Sequence, residues 1–284
     1  MLEDGADQSV ASDALRVAGL EGVMSPAGLG TIGGGNHFCE VQVVDEIMSP
    51  HTAVAIGLTK GDLCLLVHSG SRSLGAGIFT GLEARWSSGY PTGSPEAEDY
   101  LALHDRALRW ARLNRRLIAE AAANALRTDL ELICDAVHNH LAPHRGGWLH
   151  RKGAASPDLS LGAKAPGLAP LAGSRESLSF LLSAEDIPEH ALGSLSHGAG
   201  RRYDRGSMHG RIRKTRSGLA RMEKTRLGGQ VICEDKDLMI EEAGYAYKDA
   251  GQVAADLEAF GVAQRVAALA PVITFKTARK GGRS

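Results

Sequence analysis

Four of the 11 histidines stand in a context that recurs along the chain. His37 lies in Gly33-Gly-Gly-Asn-His-Phe38, just ahead of an alternating run. His68 follows the apolar Leu63-Cys-Leu-Leu-Val67 and opens His-Ser-Gly-Ser-Arg72. His138 follows Leu132–Val137 and precedes Asn139. His197 sits inside Ser196-His-Gly-Ala-Gly-Arg201, a loop of small residues whose backbone N–H groups can approach a phosphate. A rigid element that feeds a short loop aims a side chain and leaves it accessible. Neutral imidazole ligates transition metals and can also act as a nucleophile. Residue type and spacing together point to a metal-dependent site acting on phosphate. His140, His144 and His150 add density around His138, but an HxH spacing does not specify a metal.

Other motifs narrow the chemistry. Gly28-Leu-Gly30-Thr-Ile-Gly33 is a literal GxGxxG, yet Pro26 precedes it and Gly34-Gly-Asn-His37 follows where a helix would begin. It does not read as a dinucleotide site. No GxxxxGK[ST] occurs, so a nucleotide would be held by other means. Between Arg201 and Arg226 lie ten cations, opposed only by Asp204 and Glu223. That is a local charge of +8 in a chain whose net charge is −1, leaving −9 elsewhere. Such a run reads either as a solvated helical face or as a surface for a polyanion partner.

The elements that must position these groups follow from the remaining pattern. With 284 residues, 43% hydrophobic and 23% charged, the chain is an ordinary globular protein that needs no disulfide or metal to stay folded. Its 35 glycines and 5% aromatic content are unusual and point to close backbone approaches. Residues 31–72 read as strand and loop, with Cys39, Val41 and Val43 alternating against Glu40, Gln42 and Val44. Leu103, Ala107, Trp110, Leu113 and Leu117 recur at helical spacing and predict one long helix over 96–127. Leu130–Val137 is a further strand candidate. Residues 153–175, rich in Gly, Ala, Pro and Ser, read as a long surface loop. The fold class is α+β.

The acidic N-terminus has no apolar stretch behind it and does not read as a signal peptide. Apolar runs such as Val266–Ile273, interrupted by Pro271, are far short of the ~20 residues a membrane span requires. Cys39, Cys64, Cys134 and Cys233 are widely separated and form no CxxC, which favours reduced thiols in a cytoplasmic protein.

Taken together, eight segments in order resemble the RtcB family of RNA ligases: Gly30-Thr-Ile-Gly-Gly-Gly-Asn-His-Phe-Cys-Glu40, Val67–Arg72, Val137-His-Asn139, His150-Arg-Lys-Gly-Ala154, Gly173-Ser174, Ser196–Arg201, Tyr245-Ala-Tyr-Lys248 and Pro271–Lys276. His104–Trp110 and Val231–Asp235 look most like the bacterial branch coupled to a release factor homologue, release factor H. The resemblance implies an RtcB-like fold of strands, one long helix and Gly-rich active-site loops. It implies GTP- and Mn²⁺-dependent joining of RNA 3′-phosphate or 2′,3′-cyclic phosphate ends to 5′-hydroxyl ends, through a guanylylated histidine. By the same carry-over His197 is the nucleophile, and His37, His68 and His138 are ligands to two Mn²⁺ ions. Asn36, Phe38, Cys39, Glu40 and Asn139 fall in nucleotide-contacting segments, and Gly198, Ala199 and Gly200 let backbone approach the phosphate and ribose. Ala172, Gly173, Ser174, Arg175, Ser179 and Lys276 match positions around the guanine nucleotide, with Tyr247 at or near its base.

The family also carries an Asp-x-Gly-Cys-Gly motif, whose Asp and Cys bind the metals, upstream of the Gly-Asn-His-Phe segment. None of the four cysteines here sits in such a motif. The organisation this implies is a remnant segment over 1–27, followed by a catalytic domain over 28–284 that is incomplete at its N-terminus. A smaller departure is Arg175-Glu-Ser177, where the family pattern is smaller and glycine-containing. Two alternatives stand beside the ligase: an inactive homologue that binds RNA or nucleotide, and a metal-dependent RNA phosphoesterase.

Overall fold

The computed structural model describes residues 8–20, 28–83, 89–157 and 163–276. Parts of the 1–27 segment and of the 153–175 stretch lie outside the described residues, as does Pro26. Two compact units share the chain: Met1–Gly33 with Val67–Leu130 and His140–His150, and Gly34–Leu66 with Glu131–Asn139 and Arg151–Ser284.

The first unit is mainly helical. It holds α1 (Gln8–Val17), α3 (Ser73–Glu83) and the long α4 (Pro95–Leu126), which is the helix the periodicity predicts. Helix α4 starts where its sequence says it should. The Ser94 side chain accepts from the Ala97 N–H, Pro95 opens the helix, and Glu96 and Glu98 complement its dipole. Trp110, Leu113 and Leu117 bury against Ala11, Leu15, Leu20, Leu29 and Leu74, while Leu103 stays at the surface. Ala11, Leu15 and Leu20 are therefore core residues. The hairpin of β3 (Asn139–His144) and β4 (Gly147–Lys152) turns on Arg145 and Gly146, both at positive φ, as a two-residue loop requires. His104 Nε2 accepts the Leu141 N–H at 3.0 Å and ties the hairpin to α4.

The second unit is built on a six-stranded sheet in the order β2-β1-β10-β7-β6, with β9 also pairing β10. Its strands are β1 (Phe38–Ile47), β2 (Leu63–His68), β6 (Leu168–Leu171), β7 (Ser179–Ser183), β9 (Gln230–Ile232) and β10 (Gln264–Phe275). Strand β10 is long enough to pair β7 along its first half and β9 along its second. Pro271 has no N–H to give, and the β1–β10 register shifts beside it, between Val41 and Gln42. Short strands β5 (Ala154–Ala155) and β8 (Leu195–Ser196) form a separate antiparallel pair.

Apolar side chains cover both faces of the sheet. Phe180, Leu182 and Ala268 pack with Ala250 and Ala254 of α8 (Ala250–Ala259). Leu181, Val266, Ala267 and Leu269 pack with Ala53 and Ile56 of α2 (Pro50–Ile56). The remaining helices, α5 (Arg205–Arg211), α6 (Arg216–Met222) and α7 (Lys236–Glu241), follow the His197 loop. The α+β class stands. Among the described residues, no helix is long and apolar enough to cross a membrane.

Three expectations need correction. Residues 31–72 include helix α2, started by Pro50 and stopped by Gly57 at φ 72°. Leu130–Val137 forms no named strand and carries one isolated bridge position at Asp135. The 153–175 stretch is not simply a surface loop, because Ala155, Leu168, Ala169 and Leu171 are core residues on β5 and β6.

Candidate functional site

In the first unit, the glycine-rich segment before β1 and the loop after β2 are fastened to α4 by one buried side chain. Asn114 Oδ1 accepts the Thr31 N–H at 3.2 Å. Its Nδ2 donates to Thr31 O at 3.1 Å, Ser69 Oγ at 3.0 Å and Gly70 O at 3.3 Å. Ser69 Oγ in turn donates to Ile32 O at 2.7 Å, and Arg115 donates to Ser69 O at 3.0 Å. Ser69 follows His68, the last residue of β2, so this network fixes the backbone that leaves that histidine. Nothing in the local sequence marks Asn114, because its role exists only once distant segments meet.

In the second unit, His138 and His197 stack with ring centroids 3.9 Å apart and planes 19° apart, and each offers a ring nitrogen within 4.8 Å of the other's. Gly153 sets both. Its N–H donates to His138 O at 2.7 Å, and its own carbonyl accepts from His197 Nδ1 at 2.7 Å. A carbonyl can only accept, so Nδ1 carries the proton and the lone pair lies on Nε2. Burial pushes the His197 pKa down, against the opposing effect of the Gly153 hydrogen bond, so the ring is neutral at neutral pH. The β5–β8 ladder, with Ala154 opposite Ser196, delivers His197 to this place. Arg151 braces the approach, donating to Ser194 Oγ at 2.7 Å and Leu192 O at 2.8 Å.

The small residues beside His197 form a second ladder. The Ala172 N–H donates to His197 O at 3.0 Å, and the Ala199 N–H donates to Ala172 O at 2.9 Å. A side chain on Gly198 would meet Ala172 O at 2.9 Å, and one on Gly173 would meet Leu178 O at 2.1 Å. Both glycines are thus required by close backbone approach. Gly200 adopts φ 72°, a left-handed turn.

Two buried polar clusters lie in the same unit. In one, Gln42 Nε2 donates to Glu40 Oε1 at 2.6 Å and Ser179 Oγ at 2.9 Å, and Ser179 Oγ accepts the Gly173 N–H at 3.0 Å. Thr274 donates to Glu40 as well. Burial raises the Glu40 pKa, with the Thr274 and Gln42 hydrogen bonds and Lys276 opposing it. In the other, Glu242 receives Arg201 and Arg205 at 3.0 Å each, the Tyr247 hydroxyl, and Lys276 at 3.9 Å. Burial alone would raise Glu242, but Lys276, the Tyr247 hydrogen bond and the two arginines hold its carboxyl below the usual range. Lys276 donates to Gly35 O at 3.1 Å, and burial lowers its pKa to about 8.

The remaining candidates fall into place around these groups. Asn36 Oδ1 accepts from Arg205 at 3.5 Å, His37 immediately precedes β1, and Phe38 opens that strand. His37 does not share the His138–His197 spacing. Cys39 is buried and its thiol is pushed up to about 12 by burial, with Glu40 adding to the shift. Asn139 is exposed at the start of β3. Ser174 and Ser177 hydroxyls lie 3.1 Å apart. Arg175 is buried and its guanidinium is committed to Met239, with Nη2 donating to the carbonyl at 2.9 Å and Nη1 3.0 Å from the sulfur. The Tyr247 ring lies under the Arg201 guanidinium, 5.1 Å from ring centroid to Cζ. Gly153, Arg201, Arg205 and Glu242 neighbour these candidates without having been named as site residues, although Gly153 and Arg201 lie inside matched segments and both arginines belong to the basic run.

Comparison with known proteins identifies the family. The family model described as tRNA-splicing ligase RtcB matches residues 19–277. An RNA-splicing ligase RtcB2 of Escherichia coli is 41% identical over 260 residues, covering 90% of this chain and 66% of the relative. An RNA-splicing ligase RtcB of Mycobacterium tuberculosis is 31% identical over 304 residues, covering 94% and 68%. A tRNA-splicing ligase RtcB of Pyrococcus horikoshii is 30% identical over 287 residues, covering 86% of this chain and 32% of the relative. The chain thus spans about two thirds of the two bacterial relatives and about a third of the archaeal one.

Proposed function

We propose a function from one premise: the chain belongs to the RtcB family. It acts as an RNA ligase that joins a 3′-phosphate or 2′,3′-cyclic phosphate end to a 5′-hydroxyl end, using GTP and Mn²⁺. The observation that carries this reading is the Gly153 carbonyl on His197 Nδ1, which holds a neutral imidazole with its lone pair on Nε2. His197 Nε2 attacks the α-phosphate of GTP, pyrophosphate leaves, and the guanylyl group passes from the histidine to the RNA 3′-phosphate. The 5′-hydroxyl then displaces GMP. A phosphoramidate suits this relay because imidazole is both a good nucleophile and a good leaving group.

The donor chemistry fits a divalent ion, since His37, His68 and His138 each offer an imidazole nitrogen, a common ligand for transition metals. His138, with His68 at the end of β2 and His37 before β1, would hold the family's Mn²⁺ ions. These would supply neutralisation of phosphate charge. His197 is kept for the nucleophile, because a lone pair bound to an ion cannot attack phosphorus. Around the nucleotide, Ala172, Gly173 and Gly198 to Gly200 leave room for phosphate and ribose. Lys276 and the arginines on Glu242 supply positive charge. Widely separated cysteines with no CxxC spacing, and an RNA substrate, support a cytoplasmic location. The link to a release factor homologue rests on the sequence resemblance.

The test is covalent labelling. Wild type incubated with Mn²⁺ and α-phosphate-labelled GTP gives a labelled band on a denaturing gel, and His197→Ala gives none. A labelled His197→Ala protein would remove the nucleophile assignment. An unlabelled wild type that releases phosphate from RNA ends without GTP would favour the phosphoesterase.

A further inference from the structure

Two of the five tyrosines in this aromatic-poor chain meet at the surface of the second unit. The Tyr203 and Tyr245 rings have centroids 5.2 Å apart, and their hydroxyl oxygens lie 3.3 Å apart. The Arg211 guanidinium sits 3.8 Å from the Tyr203 ring centroid. Arg202 and Arg211 bear electrostatically on both hydroxyls. The three groups are anchored unequally. Tyr203 is half-buried against the small core of Met208, Ile240, Ala243 and Ala246, whereas Tyr245 is 54% exposed. The two rings are tilted by 35°, and the exposed Tyr245 brings aromatic surface to water beside the charge of Arg202 and Arg211.

The backbone connects this stack to the nucleophile. Residues 200–203 run against 245–248, with the Lys248 N–H on Gly200 O at 3.0 Å, the Arg202 N–H on Ala246 O at 2.8 Å, and an Arg201–Tyr247 bridge. Tyr203 lies six Cα steps from His197, so their Cα atoms are within about 22 Å even on a fully extended chain.

From this we infer that Tyr203 and Tyr245, with Arg202 and Arg211, form a stacking subsite for one unpaired base of single-stranded RNA near the end being joined. Every base has a π-face, so the subsite binds without reading sequence, and the arginines meet the adjoining phosphates. A strand stacked straight between the two places, at a rise of about 3.4 Å per nucleotide, spans about six nucleotides, which puts the held base near the reacting end. The inference rests on the RNA reading above and adds a place and a contact to it.

The experiment titrates a short fluorescein-labelled RNA single strand ending in a 3′-phosphate against the full chain. Tyr245→Ala and Tyr245→Leu weaken binding by roughly 5- to 150-fold, the range of a lost base–aromatic stack. Tyr245→Phe and Tyr245→Trp retain it, which separates ring stacking from hydroxyl bonding. A scan of single abasic positions lowers wild-type affinity at one position near the 3′ end, and Tyr245→Leu no longer responds there. Wild-type affinity in Tyr245→Leu, or a flat abasic scan, overturns the subsite while the RNA reading survives. A wild type that is labelled by GTP but binds no RNA overturns both.

Discussion

Lys276 carries the clearest pH signature at the scale of single residues. It is buried beside Glu242 and Gly35 O, and removal of its ammonium from water lowers its pKa from 10.5 to about 8. Between these values the unfolded chain keeps a proton that the folded chain has released, so stability rises with pH across that window. Below pH 8 the full penalty is present. A shift of this size corresponds to about 3 kcal/mol. Urea unfolding of wild type and Lys276→Met from pH 7.5 to 10.5 therefore shows wild type gaining on the variant by that amount as pH rises. Parallel curves would show that the ammonium is solvated. The pairing with Glu242 explains why such a residue is tolerated. The carboxylate already draws Arg201 and Arg205, and Lys276 completes a charge cluster in which no member is left alone.

Between elements, Asn114 has the same part to play, with hydrogen bonds in place of charge. Its amide both donates and accepts, which is what a site facing an N–H, a hydroxyl and two carbonyls requires. Asn114→Ala leaves these groups buried without it and costs about 2–3 kcal/mol. Asn114→Asp is worse at pH 7, because a carboxylate turned toward Thr31 O and Gly70 O cannot donate. Its deficit shrinks in acid, where the protonated carboxyl donates once. Thermal melts of both variants at pH 5 and pH 7 decide this, and equal losses at both pH values would contradict it. Helix α4 itself was legible from the Trp110–Leu113–Leu117 spacing and the Ser94-Pro95 start, since both signals are local. The burial of Asn114 was not, because its partners lie in other segments of the chain. Strand β6 hid for a related reason. A sheet covered on both faces needs no alternation, so Leu168-Ala-Pro-Leu171 read as loop. The opposite error at Leu130–Val137 arose because apolar residues alone do not make a strand without a partner edge. The matched segments made His138 and His197 legible as a site, while the Gly153 carbonyl that fixes the His197 tautomer emerged only from the fold.

For the molecule as a whole, the basic run from 201 to 226 divides by the direction its side chains face. Arg201 and Arg205 turn inward to Glu242, Lys214 pairs Asp237, Arg226 pairs Glu176 at 3.6 Å, and Arg211 covers Tyr203. Arg202, Arg213, Arg216, Arg221 and Lys224 are exposed, none of them in a carboxylate pair among the described residues. Arg201 and Arg205 thus belong to the Glu242 cluster, while the exposed cations are available to a polyanion and the remainder of the chain, at −9, repels one. Single-stranded RNA lowers log K by about 0.7 per phosphate neutralised, so five contacts give a slope of roughly −3.5 against log salt. Replacing Arg213 and Arg216 together by Gln shallows that slope by about 1.4 and leaves GTP labelling of His197 unchanged, because neither side chain reaches into the Glu242 or Gly153 clusters. An unchanged slope would mean that this outer face is only solvated. A loss of labelling would mean that it supports the nucleotide site instead.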